Sequence, residues 1–398
     1  MLKLPCLSMF DINISNKRVL IREDFNTPVI NGKIVNDEKV VRAIPTIEKA
    51  LKENAQVIIL SHFGRPKEGK FDITFSLAPI ANILSKKLKR KIPLIVNWLQ
   101  GIPLALGTVV LCENVRFNIG ENSNDCNLAQ NMAKLCDVFV MDAFATAHRV
   151  QASTVGIAKY APIACAGPLL ISEIETLSHV MHNLKKPLVA IVGGAKVSSK
   201  LHLLESLLYK VDQLIVGGGI ANTLLKARGY CVGQSLCDNS WLDCAHQFLA
   251  KAKKKNVSIL LPSDVVVARQ LSKNTNTKAK IKKIDAIRGN ESIFDVGPRT
   301  LVDYVHLIAK AGSIFWNGPI GVFEIRAFSR GTRVLAQAIA DSSSFSIAGG
   351  GDTLAALHQL HLTHQISYIS TGGGAFLKFL DGKVLPIIAT LTQRAQIS

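Results

Sequence analysis

Short apolar, β-branched runs alternate along the whole chain with longer stretches of helical period, and this alternation constrains the fold most. The runs fall at 19–21, 57–60, 109–111 and 138–141 in the first half. In the second half they fall at 188–192, 214–216, 258–261, 313–316, 344–348 and 367–370. Between them lie amphipathic segments such as Val197, Leu201, Leu204 and Leu208, spaced as on one face of a helix. Continuous apolar strands separated by helices predict parallel sheets covered on both faces. With 398 residues, the chain has room for two such domains, each with its own core. The expectation is an α/β protein of two doubly wound, Rossmann-like parallel-sheet domains facing each other across a cleft. A helical stretch at 169–183, ahead of Pro187, marks the boundary between them.

Ligands of such folds bind beyond the carboxyl ends of the strands, so those ends are where chemistry is expected. In the first half they carry Asp24 and Asn26, then His62 and Arg65, then Arg116, then His148 and Arg149. Three arginines and two histidines on one sheet edge predict a pocket for a small anion bearing both carboxylate and phosphate. In the second half the strands end in glycine: Gly193-Gly194, Gly217-Gly218-Gly219, Gly349-Gly350-Gly351 and Gly372-Gly373-Gly374. Glycine lets backbone N–H groups approach a phosphate, and a following helix N-terminus adds its dipole, so this half reads as a nucleotide domain. Neither the P-loop nor the dinucleotide fingerprint is complete, and the second strand of this half ends in Gly217 rather than a ribose-binding acid. A dehydrogenase is therefore disfavoured. Lys196 and Lys200, four residues apart, are expected on one face of a helix start behind Gly193-Gly194, facing an anion. Asp352 among phosphate-binding amides implies an intervening cation, read as Mg²⁺ carried by the nucleotide.

The balance of 47 Lys+Arg against 29 Asp+Glu gives a net charge of +18. Such a charge allows nucleic acid, an anionic membrane surface or small acidic substrates as partners. Lysine-rich runs at 86–91, 251–255 and 278–283 are assigned to helix or loop positions without interleaved aromatics, as a solvated face rather than a nucleic-acid surface. His358, His361 and His364 lack neighbouring carboxylates, so a metal site there is disfavoured. The eight cysteines contain no C-x-x-C pair and read as reduced thiols of a cytosolic protein. The apolar start is broken by Pro5 and followed by Asp11, so no signal peptide is expected. Residues 155–171 are too interrupted to span a bilayer.

The strand-end segments resemble the signatures of the phosphoglycerate kinase family, in order and approximate spacing, over essentially the whole chain. They are 18–28 (RVLIREDFNTP), 61–66 (SHFGRP), 113–117 (ENVRF) and 142–149 (DAFATAHR), then 192–200 (VGGAKVSSK), 215–222 (IVGGGIAN), 316–324 (WNGPIGVFE), 348–353 (AGGGDT) and 370–376 (STGGGAF). The resemblance implies reversible transfer of the ATP γ-phosphate to the carboxylate of 3-phosphoglycerate, yielding 1,3-bisphosphoglycerate and ADP. It implies an acid-binding domain at 1–168 plus 385–398, a connecting helix at 169–184, and a nucleotide domain at 185–384. It also implies hinge bending and a cytoplasmic monomer. On the matched positions, Asp24, Asn26, His62, Arg65, Arg116 and Arg149 hold the acid. Lys196, Lys200, Gly217, Gly218, Asn317, Glu324, Gly349, Gly350, Gly351, Asp352 and Thr353 meet the nucleotide, with Asp352 on Mg²⁺. Lys39, Lys200, Gly350 and Gly373 form the catalytic set.

Three positions depart from the family pattern. Lys39 stands where the family usually has an arginine that reaches the transferring phosphate, thirteen residues after Asn26. Lysine supplies the charge without the bidentate fork, and Lys39 is favoured for the task over nearby Arg42. Glu23 within the RED triplet and Ala145, where a glycine usually precedes Thr146, are milder changes. The rival readings are a basic nucleic-acid-binding protein and another carboxylate kinase.

Overall fold

The first apolar run forms β1 (Arg18–Arg22), and a two-stranded antiparallel hairpin follows, β2 (Val29–Ile30) with β3 (Lys33–Ile34). Then come β4 (Gln56–Leu60), β5 (Leu94–Ile95), β6 (Val109–Cys112), β7 (Val138–Met141) and β8 (Ile163–Ala166). Their sheet has the order β5-β6-β4-β1-β7-β8 with every pairing parallel. In register, Val19 lies opposite Val57 and Val138, and Ile21 opposite Ile59 and Val140. That face is covered by Val40, Ala43, Ile47 and Ala50 of helix Glu38–Lys52, residues at helical spacing on its buried side. The order reverses between β1 and β7, which places the switch point of this sheet at the end of β1.

The computed structural model describes residues 5–27, 29–30, 33–34, 37–198, 200–271, 279–370, 372–380 and 382–396. Pro28, Ser199, Thr371 and Lys278, quoted in the motifs and runs above, and residues 397–398 lie outside the described residues. The chain divides into two compact units, Met1–Val180 with Lys383–Ser398, and Met181–Gly382. Helix Pro386–Ala395 belongs to the first unit: Ile387 and Leu391 are fully buried, and Arg394 Nη2 donates to the carbonyls of Ala161 and Pro162 at 2.8 and 2.9 Å.

The second unit begins with β9 (Leu188–Val192), β10 (Gln213–Val216) and β11 (Ser258–Leu260). Next are β12 (Asp264–Ala268), β13 (Lys280–Lys283) and β14 (Ser292–Val296), and last β15 (Ser313–Asn317), β16 (Phe345–Gly349) and β17 (Tyr368–Ser370). The main sheet runs β11-β10-β9-β15-β16-β17, all parallel, with its reversal between β9 and β15. The α/β class with doubly wound parallel sheets is thus observed. An additional antiparallel sheet, β13-β12-β14, was not expected from the apolar runs. It corrects the placement of residues 280–283, which form an edge strand rather than a helix or loop. Their sequence, KIKK, has no apolar run to betray a strand, and exposed edge lysines discourage pairing with another chain. All eight cysteines are free. No helix among the described residues is long and apolar enough to cross a membrane.

Candidate active site

In the first unit the loops after β1, β4 and β6 are locked together by hydrogen bonds. Asn26 Oδ1 accepts from the Gly64 N–H at 2.8 Å, joining the β1 and β4 ends. Asn114 Oδ1 accepts from the N–H groups of Phe63 and Arg116 at 3.2 and 3.1 Å, and the Arg116 guanidinium donates to the Gly64 carbonyl. Lys39 Nζ lies 2.6 Å from Asp24 Oδ2 and donates to the Asn26 carbonyl at 2.8 Å. His62, buried, puts Nδ1 3.8 Å from Asp24 Oδ1. Burial alone would raise the Asp24 carboxyl, but Lys39, His62 and the bond from Lys39 bring it down to about 2.

Around this anchor sits a group of cations that repel one another. Burial and the neighbouring Arg149, Arg22 and Arg65 lower the Arg116 pKa to about 10, with Glu121 opposing. Arg149 is lowered by burial and by Arg65, against Asp24 and Glu121. Burial, with Arg22, Arg116 and Arg149, holds His62 well below its ordinary value against the opposing pull of Asp24. Arg116 is 7% exposed, and its Nε is buried with no hydrogen-bond partner among the described residues. Arg65 is exposed at the rim. This edge therefore joins all six acid-site candidates and Lys39.

Arg22 was not singled out from the sequence, although a charged residue closing an apolar strand was a readable signal. It is fully buried, and its Nε donates to Ser153 Oγ at 3.0 Å while its second terminal nitrogen lies 3.4 Å from His62 Nδ1. Glu121, also buried, accepts from Ser153 Oγ at 2.6 Å and offsets part of the charge. Ala145 occupies a single 3₁₀ turn, Phe144–Thr146, a conformation that asks nothing of glycine.

Asp24 ties this geometry to acid stability. Its folded pKa of about 2 lies below the unfolded value of 3.8. The stabilisation is therefore full above about pH 4 and is lost as pH falls toward about 2, amounting to about 2 kcal/mol. Asp24→Asn is expected to lack this part of the acid sensitivity, checked by urea unfolding of both proteins from about pH 6 to about pH 3.

In the second unit, Lys200 stands at the reversal between β9 and β15. Its Nζ donates to the carbonyl of Gly193, past the end of β9, and to that of Asn317, the last residue of β15, the latter at 3.1 Å. Burial lowers its pKa to about 8, against the opposing pull of Asp352. The segment before Lys200 differs from expectation. The helix spans only Leu201–Leu207 with Lys200 as its N-cap, so Lys196 and Lys200 do not share a helix face. The Lys200 ammonium turns back onto strand-end carbonyls instead, while Lys196 is exposed and Val197 is buried ahead of the helix.

Three helices of this unit begin with glycine at strand ends of the main sheet: Gly218–Ala227 after β10, Gly351–Gln359 after β16, and Gly373–Leu380 after β17. Gly218 and Gly350 have φ of +64° and +100°, a region glycine reaches without strain. Part of the glycine pattern serves packing, since a Cβ on Gly219 would run into the Ala195 carbonyl. Asn317 Nδ2 and Thr353 Oγ1 donate to the Gly349 carbonyl at 2.7 and 2.9 Å, and Thr353 Oγ1 accepts from the Gly318 N–H at 2.7 Å. These bonds join the β15 and β16 ends. Asp352 is exposed in the first turn of its helix, and Glu324 is also exposed. Among the described residues no three His, Cys, Asp or Glu side chains gather as metal ligands, at His358, His361 and His364 or elsewhere.

The comparisons agree with one another. The family description "Phosphoglycerate kinase" matches residues 9–383. A phosphoglycerate kinase of Coxiella burnetii is 65% identical over 388 residues, covering 98% of this chain and 99% of the relative. One from Legionella pneumophila (strain Lens) is 54% identical over 390 residues, with 98% of each chain covered. The solved Coxiella burnetii phosphoglycerate kinase superposes with a TM-score of 0.85 over 98% of this chain and 100% of the other. That from Pyrococcus horikoshii OT3 gives 0.82 at 31% identity, covering 98% and 99%. The nucleic-acid and alternative-kinase readings gain no support from these matches. A cation-lined strand edge in one unit, glycine-led helix starts in the other, and full-length likeness to these enzymes place the chain in the phosphoglycerate kinase family, whose ATP-dependent transfer to the carboxylate of 3-phosphoglycerate is its activity.

Proposed function

We propose that Asp24, Asn26, His62, Arg65, Arg116 and Arg149 hold 3-phosphoglycerate, and that Lys39 meets the transferring phosphoryl group from the acceptor's side. Arg116 carries this reading: a nearly buried guanidinium, with an Nε that has no partner among the described residues and three arginines around it, is left with excess positive charge that a bound anion would offset. In titrations without nucleotide, Arg116→Ala is expected to weaken 3-phosphoglycerate binding about 100-fold, leaving ADP affinity within about twofold. Unchanged 3-phosphoglycerate affinity in that variant would overturn the assignment.

On the nucleotide side, the helix starts at 217–218 and 349–353 receive ADP or ATP together with Lys196, Asn317 and Glu324. Lys200, with the amides at Gly350 and Gly373, stabilises the transferred group. The acceptor carboxylate is ionised at neutral pH, so no general base is needed. Rate enhancement comes from alignment, neutralisation of phosphoryl charge and exclusion of water. Asp352 fits Mg²⁺: it is an exposed carboxylate in a helix's first turn, and this cation takes one or two carboxylates and fills its remaining sites with phosphate oxygens and water. When bound, the cation supplies positive charge to the phosphates. Asp352→Ala is expected to raise the Mg²⁺ concentration for half-maximal rate about tenfold, read from Mg²⁺ titrations at fixed ATP. The enzyme is further proposed to act as a cytoplasmic monomer, as the family resemblance suggests.

A further inference from the structure

Glu23 directly precedes Asp24, at the strand end where the first sheet reverses. It is 1% exposed, and its carboxyl meets that of Asp142, also 1% exposed, each lying one residue past the paired Arg22 and Met141 of β1 and β7. Two buried carboxyl groups sit together in this way only with a proton between them. Their other partners decide which group keeps it. Asp142 accepts from Thr46 Oγ1 at 2.6 Å and from the Leu170 N–H at 3.0 Å. Glu23 Oε1 is buried with no hydrogen-bond partner among the described residues. Donors therefore support a charge on Asp142, and none supports one on Glu23. Neutral Glu23 donates to ionised Asp142, so the pair carries one negative charge. Burial, reinforced by Asp142, accordingly pushes the Glu23 carboxyl well above the usual range.

The pair fastens several elements at one point. Thr46 belongs to helix Glu38–Lys52, and Leu170 to the first turn of helix Pro168–His182. The Glu23 N–H donates to the Leu60 carbonyl at 2.9 Å, the Asp142 N–H to the Arg22 carbonyl at 3.0 Å, and the Arg22 guanidinium to the Glu23 carbonyl. The charged groups facing Glu23 are Arg22 and Asp24 from its own strand end and Asp142 from the β7 end. Cys165 of β8 lies near Asp142 as a neutral thiol, raised by burial. Arg42 and Glu173, from the two helices, pair with each other at 3.3 Å.

We propose that Glu23 is a positioning residue for the acid substrate: the proton it shares with Asp142 fixes the turn that presents Asp24 and Asn26. The proposal rests on the reading that this turn holds 3-phosphoglycerate. Infrared difference spectra of wild type minus Glu23→Gln at neutral pH, in which the contribution of the buried Asp295 carboxyl cancels, are expected to show the carbonyl band of a protonated carboxyl. In titrations without nucleotide, Glu23→Leu, which lacks a donor, is expected to bind 3-phosphoglycerate about tenfold more weakly. Glu23→Gln, which keeps one, is expected to stay within about threefold of wild type. Where rising pH abolishes the band, wild-type affinity falls and that of Glu23→Gln does not. Absence of the band at neutral pH would overturn the shared proton. Wild-type affinity in a folded Glu23→Leu would overturn the positioning role. If Glu23→Leu fails to fold, the band and the behaviour of Glu23→Gln decide. If Asp24→Ala leaves 3-phosphoglycerate affinity unchanged, the assignment of the acid site fails, and the band still reports on the proton.

Discussion

Replacing Lys200 with alanine is expected to lower kcat about 10³-fold, while KM for ATP changes less than about fivefold. The ammonium is held by the carbonyls of Gly193 and Asn317 at the sheet's reversal, so its position is fixed before substrates arrive. Such preorganised charge acts chiefly on the transition state, which is why kcat carries the loss. Lys200→Arg is expected to recover little. Nζ lies so close to the backbone of Gly318 and Gly194 that a Cβ there would stand 2.9 and 3.5 Å from it, and a wider planar fork must displace that backbone or give up the carbonyl bonds. Burial has a cost that a second measurement reads. The folded pKa of about 8 lies below the ordinary 10.5, so between these values the folded protein binds fewer protons than the unfolded chain. Stability should rise with pH across that window, by at most about 3 kcal/mol, and Lys200→Met should be flat there and more stable near neutrality.

Lys39→Ala is expected to reduce kcat/KM for 3-phosphoglycerate about 10²-fold, with Arg42→Ala remaining within about threefold of wild type. The geometry separates the two cations. Lys39 Nζ sits 2.6 Å from Asp24 and 2.8 Å from the Asn26 carbonyl, on the acid-binding edge. Arg42 is committed to Glu173, 3.3 Å away. Lys39→Arg is expected to retain most activity, since it restores the residue usual in the family. Steady-state kinetics on the three variants test this, and a collapse in Arg42→Ala beside an unaffected Lys39→Ala would reverse the assignment.

The parallel sheets and strand-end residues were legible because buried strands read as continuous apolar runs, and loops after them carry the chemistry. Strands lacking that pattern were not legible. The run KIKK at β13 has lysines where a buried strand would have valines, and β5 is only two residues long. The spacing of Lys196 and Lys200 resembled a helix face, but the helix starts at Leu201, where the Lys200 side chain has already turned back onto Gly193. Arg22 and the Glu23–Asp142 pair depend on contacts between β1 and β7, residues more than a hundred positions apart, which no local pattern reports.

The most direct measurement is the initial rate of ADP release from ATP and Mg²⁺ in the presence and absence of 3-phosphoglycerate, with Lys200→Ala assayed beside the wild type. The account predicts wild-type turnover on the order of 10 to 10³ s⁻¹ that requires 3-phosphoglycerate, and a rate about 10³-fold lower in the variant. A wild type that leaves 3-phosphoglycerate unphosphorylated, or a variant that turns over as fast, would contradict it.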